Sequence, residues 1–332
     1  MGIESDAIYW NNVDLGDILL QIRKVKKYFP IKRGIFKKTV GWIKAVDGVD
    51  LDIAKGKTLG LVGESGCGKS TLARLILKLT DIDEGKLIFE GREIQSLSDK
   101  EFKPIRKKIQ IVFQDPFGSL NPKMTIGEII EEGLRVLGLH AEKRKKRVKE
   151  LLEMVGIPAS GMDMYPHEFS GGQRQRIGIA RALSVNPSLI VCDEPVSALD
   201  VSVQAQIINL LKDLQEAFGI AYLFISHDIN LVGYMSDMIA IMYLGQIVEL
   251  ADSEELFRNP KHPYTNLLLS AVPEPDPKKK IFFKLKRQTD TIEWVEHGCK
   301  FWKRCPYASS ECKETEIPLK KISSAHWVKC IR

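Results

Sequence analysis

The sequence predicts an α/β fold, a mainly parallel sheet with helices on its faces. Three observations predict it. Short apolar runs of strand length, Leu189–Cys192 and Ala221–Ile225, alternate with segments of helical period. A glycine-rich turn, Gly63-Glu-Ser-Gly-Cys-Gly-Lys-Ser70, joins a buried strand to a helix. The run Ser188-Leu-Ile-Val-Cys ends in two acids, Asp193 and Glu194.

With 332 residues, 44% hydrophobic and 28% charged, the chain can bury a sizeable core, which excludes general disorder, collagen and mini-protein scaffolds. No apolar run reaches the ~18 residues of a membrane helix. Met1 to Trp10 holds acids and no apolar core, so no secretory leader is expected. The chain is expected in the cytoplasm unless a partner holds it at a membrane. Its net charge of +6 is unevenly placed. From Asp276 onward, 14 basic and 7 acidic residues give +7, leaving −1 for the preceding 275 residues. Such a tail suits nucleic acid, anionic lipid or a plain solvated surface.

Residues 17–62 read as strands and turns. Asp17–Phe29 begins with alternating apolar residues, a basic loop spans Pro30 to Lys44, and a turn at Lys55–Gly56 precedes a buried strand. From Ser70 the period changes. Leu72, Leu75, Ile76 and Leu79 mark one helix face. Lys86–Ile94 is a strand pair turning at Glu90–Gly91, and Ile109–Gln114 is a further strand. Residues 126–156 read as helical, with Val148, Leu151, Leu152 and Val155 buried and Gly156 as a C-cap. The basic run Lys143–Lys149 reads as a solvated helix face. Helices over Gly172–Leu183 and Val203–Phe218 flank the remaining strands. A boundary falls near Val272, where three prolines and then lysines have linker composition.

The turn Gly63-Glu64-Ser65-Gly66-Cys67-Gly68-Lys69-Ser70 fits the phosphate-loop pattern without mismatch, in its expected strand–turn–helix context. Its glycines let backbone N–H groups curl around phosphate oxygens, and Ser70 and Thr71 open the helix whose N-terminus attracts the anion. Lys69 reaches the outer phosphates, and the Ser70 hydroxyl ligates Mg²⁺. Cys67 reads as a small residue with a useful N–H rather than a redox group. Asp193 is placed to hold Mg²⁺, and Glu194 to polarise a water for attack on phosphate. Cys192 reads as a packed apolar residue.

Phe169-Ser170-Gly171-Gly172-Gln173 is a variant, with Phe for Leu, of the LSGGQ signature. Together with the phosphate loop it makes the chain resemble the nucleotide-binding subunit of an ABC transporter. The resemblance implies an ABC ATPase cassette: a mixed sheet core, an antiparallel β subdomain and a helical subdomain about 115–185. It also implies head-to-tail pairing, with ATP between the phosphate loop of one subunit and the Ser170–Gln173 signature of the other. Gln114 resembles the glutamine that senses Mg²⁺ and the γ-phosphate beside the membrane subunit. Ser197-Ala-Leu-Asp200 resembles the loop crossing the dimer interface, and His227 resembles the histidine that holds the γ-phosphate. Tyr28 stands where the family stacks an aromatic on adenine, with Phe29 and Trp42 as competitors.

Lys44–Ile53, Ile111–Ile126, Tyr165–Leu183 and His262–Pro273 narrow the resemblance to the oligopeptide/dipeptide importer branch and to the second of its two ATPases, the OppF/DppF type. This implies an ATPase within residues 1–271 and a C-terminal module over 272–332. It implies a partner ATPase of different sequence, two separate membrane permeases, an external solute-binding protein, and a place on the cytoplasmic face of the membrane. Members of the branch also carry nickel or oligosaccharides. A soluble ABC ATPase acting on nucleic acid is the competing class, disfavoured because the chain has no long heptad segment and no second cassette. A subunit that binds ATP without hydrolysis is disfavoured by intact Lys69, Asp193, Glu194 and His227.

Cys299, Cys305, Cys312 and Cys330 follow the spacing C-x5-C-x6-C-x17-C. Four thiolates suit a [4Fe–4S] cluster or tetrahedral zinc, though reduced free or paired cysteines remain open and the missing C-x2-C pair disfavours a zinc ribbon. The branch resemblance favours iron–sulfur. His297 and His326 are possible replacement ligands but read more simply as surface histidines.

Overall fold

The computed structural model describes residues 9–10, 13–34, 38–271 and 298–332. The chain divides into two compact units. One holds Met1–Asp52, Leu59–Gln95 and His227–Arg332, and the other holds Ile53–Thr58 and Ser96–Ser226.

The first unit opens with β1 (Ile18–Arg33), β2 (Lys38–Ala54), β3 (Thr58–Val62), α1 (Lys69–Ile76), β4 (Glu84–Phe89) and β5 (Arg92–Glu93). One sheet has the order β2-β1-β4-β5, antiparallel where β4 meets β1 and β5. Glu90 and Gly91 both have positive φ, 49° and 77°, so the expected turn carries the left-handed geometry that matches strand twist. The basic stretch read as a loop is largely strand. β1 runs on to Arg33 and β2 begins at Lys38, both through exposed positions where burial leaves no alternating pattern. Helix α1 buries Leu72, Leu75 and Ile76 as expected, but it stops there. Lys78 turns left-handed at φ 50°, and Leu79, expected on the buried face, is 59% exposed.

The second unit contains α2 (Asp99–Lys108), β6 (Ile109–Val112), α3 (Ile126–Val136), α4 (Ala141–Met154), α5 (Gly171–Leu183), β7 (Leu189–Asp193), α6 (Val201–Phe218) and β8 (Ala221–Ser226). Strands β8, β7 and β6 pair in parallel, and the apolar runs of β7 and β8 are buried on both faces. The helical run 126–156 is two helices, parted at Gly138 with φ 72°. Both α2 and α3 start with reciprocal capping boxes, Ser98–Glu101 and Thr125–Glu128. The basic run on α4 is a solvated face, apart from the buried Val148, and Arg144 and Arg147 pair with Glu131 and Glu150.

The first unit resumes with α7 (Ile229–Met235), β9 (Met238–Tyr243), β10 (Gln246–Asp252), α8 (Ser253–Arg258), α9 (Pro263–Ser270), α10 (Glu311–Glu314), β11 (Lys320–Ser323) and β12 (His326–Val328). Its second sheet runs β11-β12-β10-β9-β3, parallel between β9 and β3 and antiparallel elsewhere. The sheet is therefore mixed, and the chain's last strands extend it. The linker expected from Val272, and His297, lie outside the described residues.

His326 is not on the surface. It is fully buried on β12, and its Nε2 lies 2.7 Å from Glu249 Oε1 on β10, itself fully buried. Glu249 also accepts the backbone N–H groups of Lys261 and His262, which ties the start of α9 to the sheet. His326→Ala is expected to lower stability by about 2 kcal/mol, because it empties a fully buried position and removes a hydrogen-bond partner of the buried Glu249. A urea transition of the full chain that did not shift would contradict this.

Candidate nucleotide site

In the first unit the phosphate loop spans the end of β3 and the start of α1. Two of its glycines are required by space. A Cβ on Gly63 would lie 2.2 Å from the Met242 carbonyl oxygen, and one on Gly68 would lie 2.0 Å from that of Ala45. Gly68 also has φ 115°, open only to glycine. It caps α1 without a side-chain hydrogen bond, which suits a helix N-terminus that meets an anion. Ser65 and Gly66 are exposed, and Ser70 and Thr71 are half-buried at the helix start. Lys69 is buried, with Nζ donating to the carbonyls of Gly63 at 2.7 Å and Glu64 at 3.1 Å.

Cys67 is 3% exposed, and its thiol is pushed up by burial more than the Lys69 charge lowers it. Its carbonyl accepts the Gly245 N–H at 2.8 Å, which fixes the loop to the β9–β10 turn. Tyr28 is half-buried, and its hydroxyl donates to Asp47. Phe29 and Trp42 are more exposed, at 39% and 55%. Burial raises the Asp47 carboxyl, but hydrogen bonds from Lys300 and Tyr28 and the charges of Lys300 and Lys44 outweigh it, so it stays below the usual range.

In the second unit Asp193 ends β7, in register with Ile225 of β8. Glu194 follows in a left-handed conformation, φ 48°, with its N–H donating to the Ile225 carbonyl at 2.9 Å. A non-glycine residue held there stores local strain, which aims the side chain out of the strand. Gln114 Nε2 donates to Glu194 Oε2 at 3.0 Å, so the structure joins two residues 80 apart in sequence that were both predicted for the site. Ser170 caps α5: its hydroxyl accepts the Gln173 N–H, and Gln173 Oε1 accepts the Ser170 N–H. A Cβ on Gly172 would lie 2.4 Å from Val203 of α6. Asp200 precedes α6, exposed and without a side-chain capping bond. His227, in the first unit, directly follows β8 and is exposed.

Two family models match the chain, one described as ABC transporter over residues 46–197 and one as oligopeptide/dipeptide transporter, C-terminal region, over 248–312. The chain is 50% identical to the oligopeptide transport ATP-binding protein AppF of Bacillus subtilis, over 95% of this chain and 97% of that one. It is 47% identical to the oligopeptide transport ATP-binding protein OppF of Escherichia coli K12, over 95% and 96%. The chain belongs to the ABC transporter ATP-binding proteins, in their oligopeptide branch. Its fold is the ABC ATPase cassette. It resembles the solved cassette MJ0796, a dimer in a post-hydrolysis state bound to ADP and Pi, at 32% identity and TM-score 0.63, covering 71% of this chain and 99% of that one. It also resembles cbiO1 from Clostridium perfringens, part of a cbiONQ transporter complex, at 27% identity and TM-score 0.64, covering 73% and 92%.

Asp47, Tyr264, Lys300 and Arg304 are not placed beside the phosphate loop and Tyr28 by sequence reading, which sets Lys300 and Arg304 against a cysteine cluster or a lipid surface. Their signal lies in contacts across long separations. The four C-terminal cysteines carry no disulfide. The Cys299 thiol is pushed up to about 12, by burial first and then by Cys330, Cys305 and Cys312 nearby. Among the described residues no group of three or more His, Cys, Asp or Glu is arranged to hold a metal ion.

With its thiol held protonated by burial, Cys67 is expected to resist iodoacetamide in the folded protein at about pH 8. Peptide mapping that found rapid alkylation at Cys67 would contradict this.

Proposed function

We propose that this chain is one of the two ATPase subunits of an importer for di- and oligopeptides, working on the cytoplasmic face of the membrane beneath two separate permeases supplied by an external binding protein. The single observation that carries the catalytic reading is the hydrogen bond from Gln114 to Glu194. It orients the carboxylate that activates water and ties it to the residue beside the permease.

In this reading ATP lies on the phosphate loop, with Lys69 on the outer phosphates and Tyr28 against adenine. Ser70, Asp193 and Gln114 offer hydroxyl, carboxylate and amide oxygens, the hard donors that suit Mg²⁺. When bound, the cation offsets charge on the β- and γ-phosphates. Glu194 takes a proton from the attacking water as its oxygen bonds to the γ-phosphorus and the bond to the β–γ bridging oxygen breaks, ADP leaving with that oxygen, and His227 donates a hydrogen bond to the γ-phosphate. The signature of the partner ATPase closes the site, and Ser170–Gln173 of this chain serves the partner's ATP. Asp200 crosses between the subunits. Exposed Phe113 and Phe117, on either side of Gln114 in sequence, suit a permease contact.

Part of the tail's charge is used within the chain. Lys300 and Arg304 are already paired with Asp47 and Glu64 of the same unit. Glu194→Gln keeps the shape but loses the base. In the assembled transporter it is expected to slow ATP hydrolysis by roughly a hundredfold or more and to trap ATP in a closed dimer. Wild-type turnover in that variant would remove Glu194 from its role.

The four cysteines remain our candidate for a [4Fe–4S] cluster, with zinc second. The donor type fits, since four thiols without disulfides are soft ligands. The thiols are not gathered into a ligand group, so a cluster requires them to draw together. Anaerobically purified protein is expected to contain about four irons and matching sulfide per chain. Zinc in their place supports the second reading, and absence of both overturns the metal site.

A further inference from the structure

The residues between Cys299 and Cys305 reach the nucleotide loop directly. Glu64 is the second residue of that loop. Its carboxylate receives both terminal nitrogens of Arg304, each at 2.8 Å, across 240 residues of sequence. Its N–H donates to the Tyr264 hydroxyl at 2.9 Å, and its carbonyl accepts Lys69 Nζ. Arg304 in turn lies over the rings of Phe301 and Tyr243. Phe301 is fully buried and packs against Tyr243, Tyr264 and His262. The guanidinium therefore rests on a packed aromatic base.

Lys300 makes a second connection. Its side chain is 4% exposed, and Nζ donates to Asp47 at 2.8 Å and to the Leu244 carbonyl at 2.7 Å. Asp47 holds the Tyr28 hydroxyl. Gly245, next to Leu244, donates its N–H to the Cys67 carbonyl and accepts the Asp47 N–H, both at 2.8 Å. The two connections converge on the phosphate loop and on the aromatic proposed for adenine.

The electrostatic consequence is specific. Glu64 places a carboxylate in a loop built for phosphate, where an uncompensated negative charge opposes the ligand. A bidentate guanidinium both cancels that charge and fixes its direction. Asp47 beneath Tyr28 poses the same problem, and Lys300 answers it in the same way.

We propose that Arg304 and Lys300 are positioning residues for ATP: the C-terminal module neutralises and braces the nucleotide loop and so sets nucleotide affinity. This rests on the ATP-binding reading of the loop and adds to it a dependence on residues near the far end of the chain.

The test uses the full chain with its partner subunits, reading a fluorescent ATP analogue by titration and hydrolysis by KM and kcat. Arg304→Ala is expected to raise Kd and KM together by about tenfold, with kcat within about twofold. Arg304→Lys restores part of the loss, because it keeps the charge but not the fork. Combining R304A with E64Q is expected to bind more tightly than R304A alone, since the stranded carboxylate is gone. Lys303→Ala, beside them in sequence, leaves KM unaltered. Wild-type affinity in R304A overturns the proposal, as does a double variant whose losses multiply. If R304A does not fold, R304K and E64Q carry the same comparison. If the wild-type protein fails to bind the analogue, the ATP-site reading itself falls.

Discussion

The nucleotide end of this chain depends on a turn that tolerates no side chain at two points. Gly63 and Gly68 pass so close to the Met242 and Ala45 carbonyls that a methyl group would collide with backbone. This closeness seats the loop between β3 and α1 while leaving the helix N-terminus without a side-chain cap. The loop is held by contacts from elsewhere in its unit: the Cys67 carbonyl on Gly245, the Glu64 N–H on Tyr264, and the Glu64 carboxylate on Arg304.

The second unit meets the opposite demand, since the carboxylate we propose as the base must leave a regular strand. β7 is hydrogen-bonded to β6 and β8 and buried to its last residue but one. The left-handed backbone at Glu194 breaks the alternation while its N–H still bonds to Ile225. The local strain is sustained because β8 fixes the residue from one side and Gln114 from the other. The signature segment shows a related economy. Ser170 and Gln173 satisfy each other's backbone, so α5 begins cleanly while Gly172 lets α6 approach.

Much of this is legible in sequence because it is local. The phosphate loop, the acids after β7 and the signature each carry their chemistry within a few residues. The turn at Glu90–Gly91 and the buried strands follow from period and glycine placement. Helical spacing misplaces Leu79 because it does not say where a helix stops, and the left-handed Lys78 ends this one with no glycine or proline to announce the fact. The strands through Arg33 and from Lys38 read as loop because exposed strand residues leave no burial pattern. His326 reads as surface because its partner Glu249 lies 77 residues upstream. A histidine buried against a carboxylate looks no different in sequence from one in water.

The basic tail shows the same limit for function. Counted in sequence, +7 points outward, to a polyanion or a membrane. In the fold, Lys300 and Arg304 point inward to Asp47 and Glu64. Lys329 is a half-buried cation of the tail, its ammonium pushed down mainly by burial. An excess of positive charge near the C-terminus is thus partly the complement of acids in the first 64 residues, in the same compact unit. Such pairing shapes a site when one partner sits where an anion must bind. Glu64 is then not a flaw in a phosphate loop but a handle. Through it a segment more than two hundred residues away acts on the loop, and Arg304 holds it one residue before Cys305. Any chemistry that moves Cys299 or Cys305 must also strain Lys300 and Arg304, because no residue separates Cys299 from Lys300 or Arg304 from Cys305.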